Sequence, residues 1–209
     1  MSAKREMFQV ITATKIVHVY GDDGTGANRD LTVVQADLAS IPDGYYMIGQ
    51  AAMPGKTSYR PGAPPSCIFL IKPAQELDPP LVKPPVDYEP IWNDHGSGGR
   101  EDGSFWRAIP PQNYVALGDI VVNGYDKPSP AFTRKYACIR EDLGLLLPAV
   151  LGEPSLWDDR GSGARRDGSL WEVKGDGLAG FFKVWSSYDK PGIRVYVLPG
   201  SVNASASGK

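Results

Sequence analysis

Three similar stretches constrain the fold of this chain more than any other feature. They run WNDHGSGGREDGSFW at 92–106, WDDRGSGARRDGSLW at 157–171 and, in a more diverged form, YGDDGTGANRDLTVV at 20–34. The three align without gaps. Each begins with an aromatic residue, continues with an acid and a Gly-Ser/Thr-Gly turn, and reaches a second acid four residues beyond the turn. Such self-similarity indicates that each copy is one supersecondary unit, so we predict three structural repeats.

β-branched and aromatic residues flank each glycine loop, which predicts strands on both sides of it. A single domain is predicted over 1–209, with repeats at about 8–75, 86–145 and 152–200 and a disordered tail at 201–209. The proline-rich stretch 74–86 is interpreted as the boundary between copies one and two. Residues 142–151 are predicted to form an apolar connection to copy three.

Three units of about four strands each predict an all-β fold. We expect a β-prism with internal pseudo-threefold symmetry, in which three roughly four-stranded sheets pack around an axial core. A twelve-stranded trefoil is the main alternative. No window shows sustained helical periodicity, so negligible helix is expected. Alternation along the second strand of each copy directs Trp106 and Trp171 into the core.

Composition excludes several classes of function. With 22 basic and 24 acidic residues, the net charge of −2 argues against nucleic acid, whose phosphates need a basic face. No apolar run approaches the roughly 20 residues of a transmembrane segment. The first ten residues lack a secretory apolar region, which predicts a cytoplasmic protein and leaves non-classical secretion open. Cys67 and Cys138 are expected to be buried free thiols, which suits a reducing compartment.

Catalytic and metal-binding patterns are weak in this sequence. The two histidines are His18, on a predicted strand, and His95, whose counterparts in the other loops are Asp23 and Arg160. No nucleophile is paired with a base, so a non-enzymatic protein without a cofactor is expected. Paired acids around a glycine loop could hold calcium, but the alternating acids and closing Glu of an EF-hand are absent. We therefore predict no metal and keep calcium as an alternative.

The segment FWRAIPPQNYVALGDIVVNGYDKPS at 105–129 resembles the repeats of the vacuolar-protein-sorting-associated "sixty-two" proteins. The shared pattern is Trp-Arg-x-x-Pro-Pro-x-x-Tyr-Val-Ala-Leu-Gly-Asp, from Trp106 to Asp119. This resemblance implies a non-enzymatic interaction or membrane-targeting module with a peptide, lipid or membrane-surface partner. A targeting domain of a toxin or defence protein is a related alternative.

A second resemblance lies in the loops. The spacing Gly-x-x-x-Asp is similar to the sugar-binding signature of jacalin-type lectins, which are β-prisms. It occurs here at Gly26–Asp30, Gly98–Asp102 and Gly163–Asp167. This resemblance implies a lectin that binds glycans or glycoconjugates at up to three glycine loops.

The chemistry of sugars agrees with these residue types. A carboxylate accepts hydrogen bonds from paired hydroxyls, glycine lets the backbone approach closely, and an aromatic ring can stack on the C–H face of a sugar. The predicted ligand-binding residues are the acceptors Asp30, Asp102 and Asp167, the glycines Gly26, Gly98 and Gly163 with the amides that follow them, and the platforms Tyr20, Trp92 and Trp157.

Structural roles compete with each of these assignments. The second acids could instead cap their turns, as an aspartate does through its own backbone. The first acids, Asp22, Asp94 and Asp159, are interpreted as such caps. The three aromatic residues could belong to the core rather than act as platforms.

Overall fold

The computed structural model describes residues 7–55 and 68–200. It is all-β, with 42% strand and 5% helix, which confirms the predicted fold class. The prediction for Cys67 and the predicted disordered tail lie outside the described residues.

Each copy contributes five or six short strands. Copy one contains β1 (Phe8–Thr12), β2 (Ile16–Gly21), β3 (Leu31–Ala36), β4 (Tyr46–Met47), β5 (Ala51–Pro54) and β6 (Phe69–Pro73). Copy two contains β7 (Val82–Lys83), β8 (Asp87–Asn93), β9 (Gly103–Ile109), β10 (Tyr114–Val115), β11 (Ile120–Asn123) and β12 (Cys138–Arg140). Copy three contains β13 (Leu147–Leu151), β14 (Trp157–Asp158), β15 (Ser169–Lys174), β16 (Phe182–Trp185) and β17 (Val195–Val197).

The strands form small antiparallel sheets in a prism-like arrangement. In each copy the two strands that flank the glycine loop pair with a third strand, giving β2–β3–β5, β8–β9–β11 and β14–β15–β16. The remaining strands form β1–β6–β4, β7–β12–β10 and the pair β13–β17. Copies one and two therefore each divide their strands between two small sheets, whereas the sequence predicted one sheet of about four strands. In copy three β13 joins the two sheets, because it pairs with both β15 and β17.

The predicted connection at 142–151 is partly wrong, because Leu147–Leu151 forms β13. Pro148 lies within this strand, although proline cannot donate a ladder hydrogen bond. In the structure Pro148 faces Tyr196 of β17, and only Val150 and Leu151 pair with β15 on the other side.

Side chains alternate between the two faces of each strand, and the inward-facing tryptophans fill the core as predicted. Trp106 and Trp171 are buried. Each indole N–H donates to the serine two residues earlier, Ser104 or Ser169, at 2.8 Å. A buried indole N–H without an acceptor destabilises the fold, so these serines allow the tryptophans to be buried. Cys138 is buried and free, and burial raises the pKa of its thiol to about 12.

One short helix, α1 (Pro130–Lys135), interrupts the strands of the described chain besides a 3-10 turn at Leu38–Ser40. Ser129 caps α1 by accepting a hydrogen bond from the amide of Phe132, and Pro130 occupies the first turn. The buried Phe132 ring holds this single turn against the core. No helix in residues 7–55 and 68–200 is long and apolar enough to cross a membrane.

A buried charge cluster joins copies two and three. Asp119 is fully buried and accepts hydrogen bonds from Lys183 at 3.1 Å, Arg107 at 3.2 Å and the amide of Val184 at 2.9 Å. The side-chain amide of Gln50 in copy one also donates to the carbonyl of Val121 in copy two and accepts from its amide. These contacts between copies fix the repeats relative to one another and so position the loops.

Candidate functional site

The three glycine loops connect equivalent strands. We name them loop one (22–30), loop two (94–102) and loop three (159–167). Each starts with a turn in which the first acid's carbonyl accepts from the amide three residues later, at 2.9–3.0 Å. Each also places two glycines at positive φ, which other residues rarely adopt. These glycines are Gly24 and Gly26, Gly96 and Gly98, and Gly161 and Gly163.

The loops contact one another in a closed ring. The amide of Asn28 in loop one donates to the carbonyl of Arg160 in loop three at 2.8 Å. The amide of Arg100 in loop two donates to Asp23 in loop one at 2.9 Å, and that of Arg165 in loop three to His95 in loop two at 3.1 Å. Because each bond joins equivalent positions, the three loops form one surface around the pseudo-threefold axis. We call this surface the loop face.

A second ring of hydrogen bonds lies beneath the loop face. Tyr20 donates to Asp94 at 3.4 Å, Trp92 to Asp159 at 3.1 Å, and Trp157 to Asp22 at 2.8 Å. Each copy thus supplies an aromatic donor to the first acid of the next copy. The rings of Trp92 and Trp157 also pack edge to face, with centroids 5.2 Å apart.

The prediction that Tyr20, Trp92 and Trp157 form sugar platforms is wrong. Their exposed fractions are 0%, 3% and 0%, so a ligand on the surface cannot stack on them. Their rings fill space that neighbouring copies leave open. A Cβ on Gly103 would lie 2.3 Å from the Tyr20 ring, and one on Gly168 would lie 2.4 Å from Trp92.

The first acids have the structural role that the sequence indicated, but as buried acceptors. Besides the aromatic donor, Asp22 accepts from the amide of Leu31 at 2.8 Å, and Asp159 accepts from that of Gly168 at 3.0 Å. Burial raises the pKa of Asp22, Asp94 and Asp159, and the hydrogen bonds lower it only in part. These carboxylates stabilise the loops and are withdrawn from a ligand.

The second acids lie closer to solvent. Asp102 and Asp167 are exposed, and Asp30 is half-buried. The phenol of Tyr125 lies 2.9 Å from Oδ1 of Asp102 and 2.9 Å from Oδ1 of the buried Asp94. Tyr188 contacts Asp159 and Asp167 in the same manner. Within the described residues, loops two and three present an exposed carboxylate beside a phenol, and we call these the Asp102–Tyr125 and Asp167–Tyr188 pairs.

Each pair keeps acceptor capacity for a ligand. Burial and the adjacent carboxylates raise the pKa of Tyr125 and Tyr188, so both phenols stay protonated at neutral pH. A phenol has one proton and can donate it to one carboxylate at a time. Since an ionised carboxylate offers about four lone-pair sites, Asp102 and Asp167 can still accept hydrogen bonds from a ligand.

The amides that follow Gly26, Gly98 and Gly163 are not free donors, contrary to the prediction. The amide of Ala27 donates to Thr25 at 3.2 Å, that of Gly99 to Ser97 at 3.2 Å, and that of Ala164 to Ser162 at 3.1 Å. The three glycines shape the loop face through their positive φ.

Charge differs among the loops at three equivalent positions. These are Asp23, Asn28 and Arg29 in loop one, His95, Arg100 and Glu101 in loop two, and Arg160, Arg165 and Arg166 in loop three. Most of these side chains have partners. Arg100 pairs with Asp23 at 2.5 Å, Glu101 with His18 at 2.8 Å, and Arg160 lies over the Tyr188 ring at 4.3 Å.

A cavity of about 480 Å³ lies outside the loop face, between copies one and two. His18, Gln35, Val121, Lys127 and Phe132 contribute to its lining. It combines apolar walls with polar side chains, but it has no counterpart among the predicted site residues. It is the natural alternative location for a ligand.

Sequence reasoning missed Tyr125 and Tyr188 as site residues, although a signal was present. The words Tyr-Asp-Lys-Pro recur at 125–128 and 188–191. This repetition places both tyrosines just after the third strand of the sheet that carries the glycine loop. One sequence does not show that the chain there folds back beside the second acid of the loop. The described residues contain no group of three or more His, Cys, Asp or Glu side chains arranged to hold a metal ion.

The fold and loop face define a class: an all-β, prism-like repeat protein with acid–tyrosine pairs at one end. Residues 3–152 match the family described as Vacuolar protein sorting-associated protein 62 (Vps62). The chain therefore belongs to the Vps62 family, which confirms the resemblance seen in copy two. No curated protein matches the chain.

A solved structure supports the same architecture. The chain is similar to GNIP1Aa from Chromobacterium piscinae, with a TM-score of 0.73 and 28% sequence identity. The match covers 92% of this chain and 37% of that chain. The present chain thus spans about a third of the length of that neighbour.

Proposed function

We propose that this protein is a non-enzymatic carbohydrate-binding protein whose sugar sites are the Asp102–Tyr125 and Asp167–Tyr188 pairs. The observation that carries the proposal is the exposed carboxylate beside a protonated phenol, repeated in two equivalent loops. Because the single phenol proton is already donated to a carboxylate, the pair acts as an acceptor: the carboxylate oxygens and the phenol oxygen can accept hydrogen bonds from two neighbouring sugar hydroxyls.

The pseudo-symmetry of the loop face adds a second argument. Sites built from one carboxylate bind monosaccharides weakly, but two sites on one rigid surface bind clustered glycans with greater avidity. The backbone bonds between loops hold the two pairs in a fixed arrangement. Copy one contributes Asp30, whose half-buried position makes it a poorer site.

A glycan array tests this proposal. The wild type is compared with the double variant Asp102→Asn and Asp167→Asn, which changes two exposed side chains and leaves the buried acids intact. Losing one charge-assisted acceptor should cost roughly 1.5–3 kcal/mol, or about ten- to a hundredfold in affinity at each site. The proposal fails if the wild type binds no glycan on a broad array, or if the double variant binds equally well.

A matched control separates binding from folding. Asp126→Asn and Asp189→Asn change the acid directly after each tyrosine in the same Tyr-Asp-Lys-Pro segments. The control variant should bind as the wild type does. If the double variant loses binding while all three proteins unfold at the same temperature, Asp102 and Asp167 act in binding and not in stability.

A second candidate is a peptide-, lipid- or membrane-interaction module. Membership of the Vps62 family favours it. The likeness to GNIP1Aa also favours it, because the matched region is one part, 37%, of that longer chain. A targeting module of a toxin or defence protein belongs to the same alternative. A pull-down from lysate with and without glycosidase treatment distinguishes the candidates, because only the lectin loses its partners on deglycosylation.

A further inference from the structure

The charge of loop three departs from that of the other two loops. Its three variable positions are all arginine, whereas those of loops one and two contain acidic and basic residues together. Arg160 lies 3.6 Å from Asp158 and over the Tyr188 ring. Neither Arg165 nor Arg166 forms an ion pair with another residue of the described chain, and both are exposed.

Arg165 reaches across to loop two. Its amide donates to the carbonyl of His95 at 3.1 Å. Its side chain runs over Gly96, where an added Cβ would lie 3.5 Å from Cγ and 3.9 Å from Nε of Arg165. The Arg165 side chain therefore lies along the contact between loops two and three, next to Gly96.

The equivalent contact between loops one and two shows what is unusual. There Arg100 runs over Gly24 in the same way, and its guanidinium pairs with Asp23 at 2.5 Å. The position of Asp23 is occupied by His95 in loop two. One contact thus contains its own anion, and the other has a histidine in place of that acid.

His95 links this guanidinium to a proposed sugar site. Its ring stacks on Tyr125 with centroids 3.8 Å apart. The phenol of Tyr125 in turn hydrogen-bonds Asp102. A ligand whose hydroxyls engage Asp102 and Tyr125 would therefore extend over His95 toward Arg165.

We propose that the contact between loops two and three binds an acidic sugar, with Arg165 and His95 receiving its carboxylate or sulfate group. The planar guanidinium fits a carboxylate or sulfate through two parallel hydrogen bonds. His95 adds a ring N–H donor. The inference rests on the proposed carbohydrate-binding function and specifies the class of sugar for the copy-two site.

The experiment compares each sialylated or sulfated glycan with its own neutral core on one array. The wild type, Arg165→Gln, His95→Asp and Arg100→Gln are measured side by side. Arg165→Gln removes the charge, and His95→Asp recreates opposite Arg165 the ion pair found between loops one and two. Arg100→Gln is the matched control, because it removes an arginine that is already paired.

We expect the wild type to bind the acidic member of a pair at least about tenfold more tightly, as for one charge-assisted contact. Arg165→Gln and His95→Asp should bring this ratio close to one, and Arg100→Gln should retain it. Raised salt should reduce the ratio for the wild type, because the contact is exposed.

Other outcomes overturn the inference in distinguishable ways. Glycan binding with no acidic preference, or a preference that survives Arg165→Gln and His95→Asp, refutes the acidic site and leaves the carbohydrate-binding function standing. No binding to any glycan refutes both. Sodium sulfate binding as tightly as the acidic glycans also refutes it, since the sugar would then contribute nothing.

Discussion

The ring of aromatic donors and buried acids should be a main source of stability at the loop end, and Asp22→Ala tests it. This change removes the acceptor of two donors, the indole N–H of Trp157 and the amide of Leu31, both at 2.8 Å. Trp157 and Leu31 are each 0% exposed, so both donors lose their acceptor inside the fold. An unsatisfied buried donor costs about 1–3 kcal/mol, which gives about 2–6 kcal/mol for the pair.

The lower part of that range is expected. Burial raises the pKa of Asp22, which means that its ionised form already pays for desolvation at neutral pH. Removing the side chain recovers part of this cost, so we expect a net loss of about 2–3 kcal/mol. Asp22→Asn should lose less than Asp22→Ala, because its carbonyl can still accept one of the two hydrogen bonds.

Urea unfolding of the variants provides the measurement. The control is Asp23→Ala, which removes the neighbouring acid and its exposed ion pair with Arg100 and should cost at most about 1 kcal/mol. The argument is refuted if Asp22→Ala unfolds within about 0.5 kcal/mol of Asp23→Ala. It is also refuted if Asp22→Asn loses more stability than Asp22→Ala.

Two further changes test the same region. Gly168→Ala should destabilise by about 1–3 kcal/mol through overpacking, because its Cβ would lie 2.4 Å from Trp92, whereas Gly192→Ala, with nothing within 4 Å, should be neutral in thermal unfolding. The folded-state pKa of Asp94 is raised above that of an unfolded aspartate, so the folded protein binds its proton more readily. Its contribution is therefore most favourable below the unfolded pKa of about 3.9 and is lost as pH rises through the raised value. The stability of the wild type relative to Asp94→Asn should fall as pH increases from about 4 to 7, and a constant or rising difference would contradict this.

Much of the fold was accessible from sequence because the repeat and the strand alternation are local signals. Trp106 and Trp171 were correctly directed inward, since period two decides which face of a strand a residue occupies. The strand at Leu147–Leu151 was missed because its partners lie in later strands. The helix at Pro130–Lys135 was missed because one turn is too short to show an apolar period.

The candidate site was only partly predictable. The spacing of acid, glycines and acid identified the loops, and residue type alone made Tyr20, Trp92 and Trp157 plausible platforms. Whether an aromatic ring faces a ligand or a neighbouring copy depends on contacts more than 60 residues away, such as that between Trp92 and Asp159. The same reason hid Tyr125, whose approach to Asp102 depends on how the chain returns after β11.

The most direct measurement of the central claim is a crystal structure of the protein with the glycan that binds most tightly on the array. The account predicts that hydroxyls of the glycan lie about 2.5–3.0 Å from the carboxylate of Asp102 or Asp167, beside Tyr125 or Tyr188. A glycan seated elsewhere, for example in the 480 Å³ cavity lined by His18 and Phe132, would contradict it.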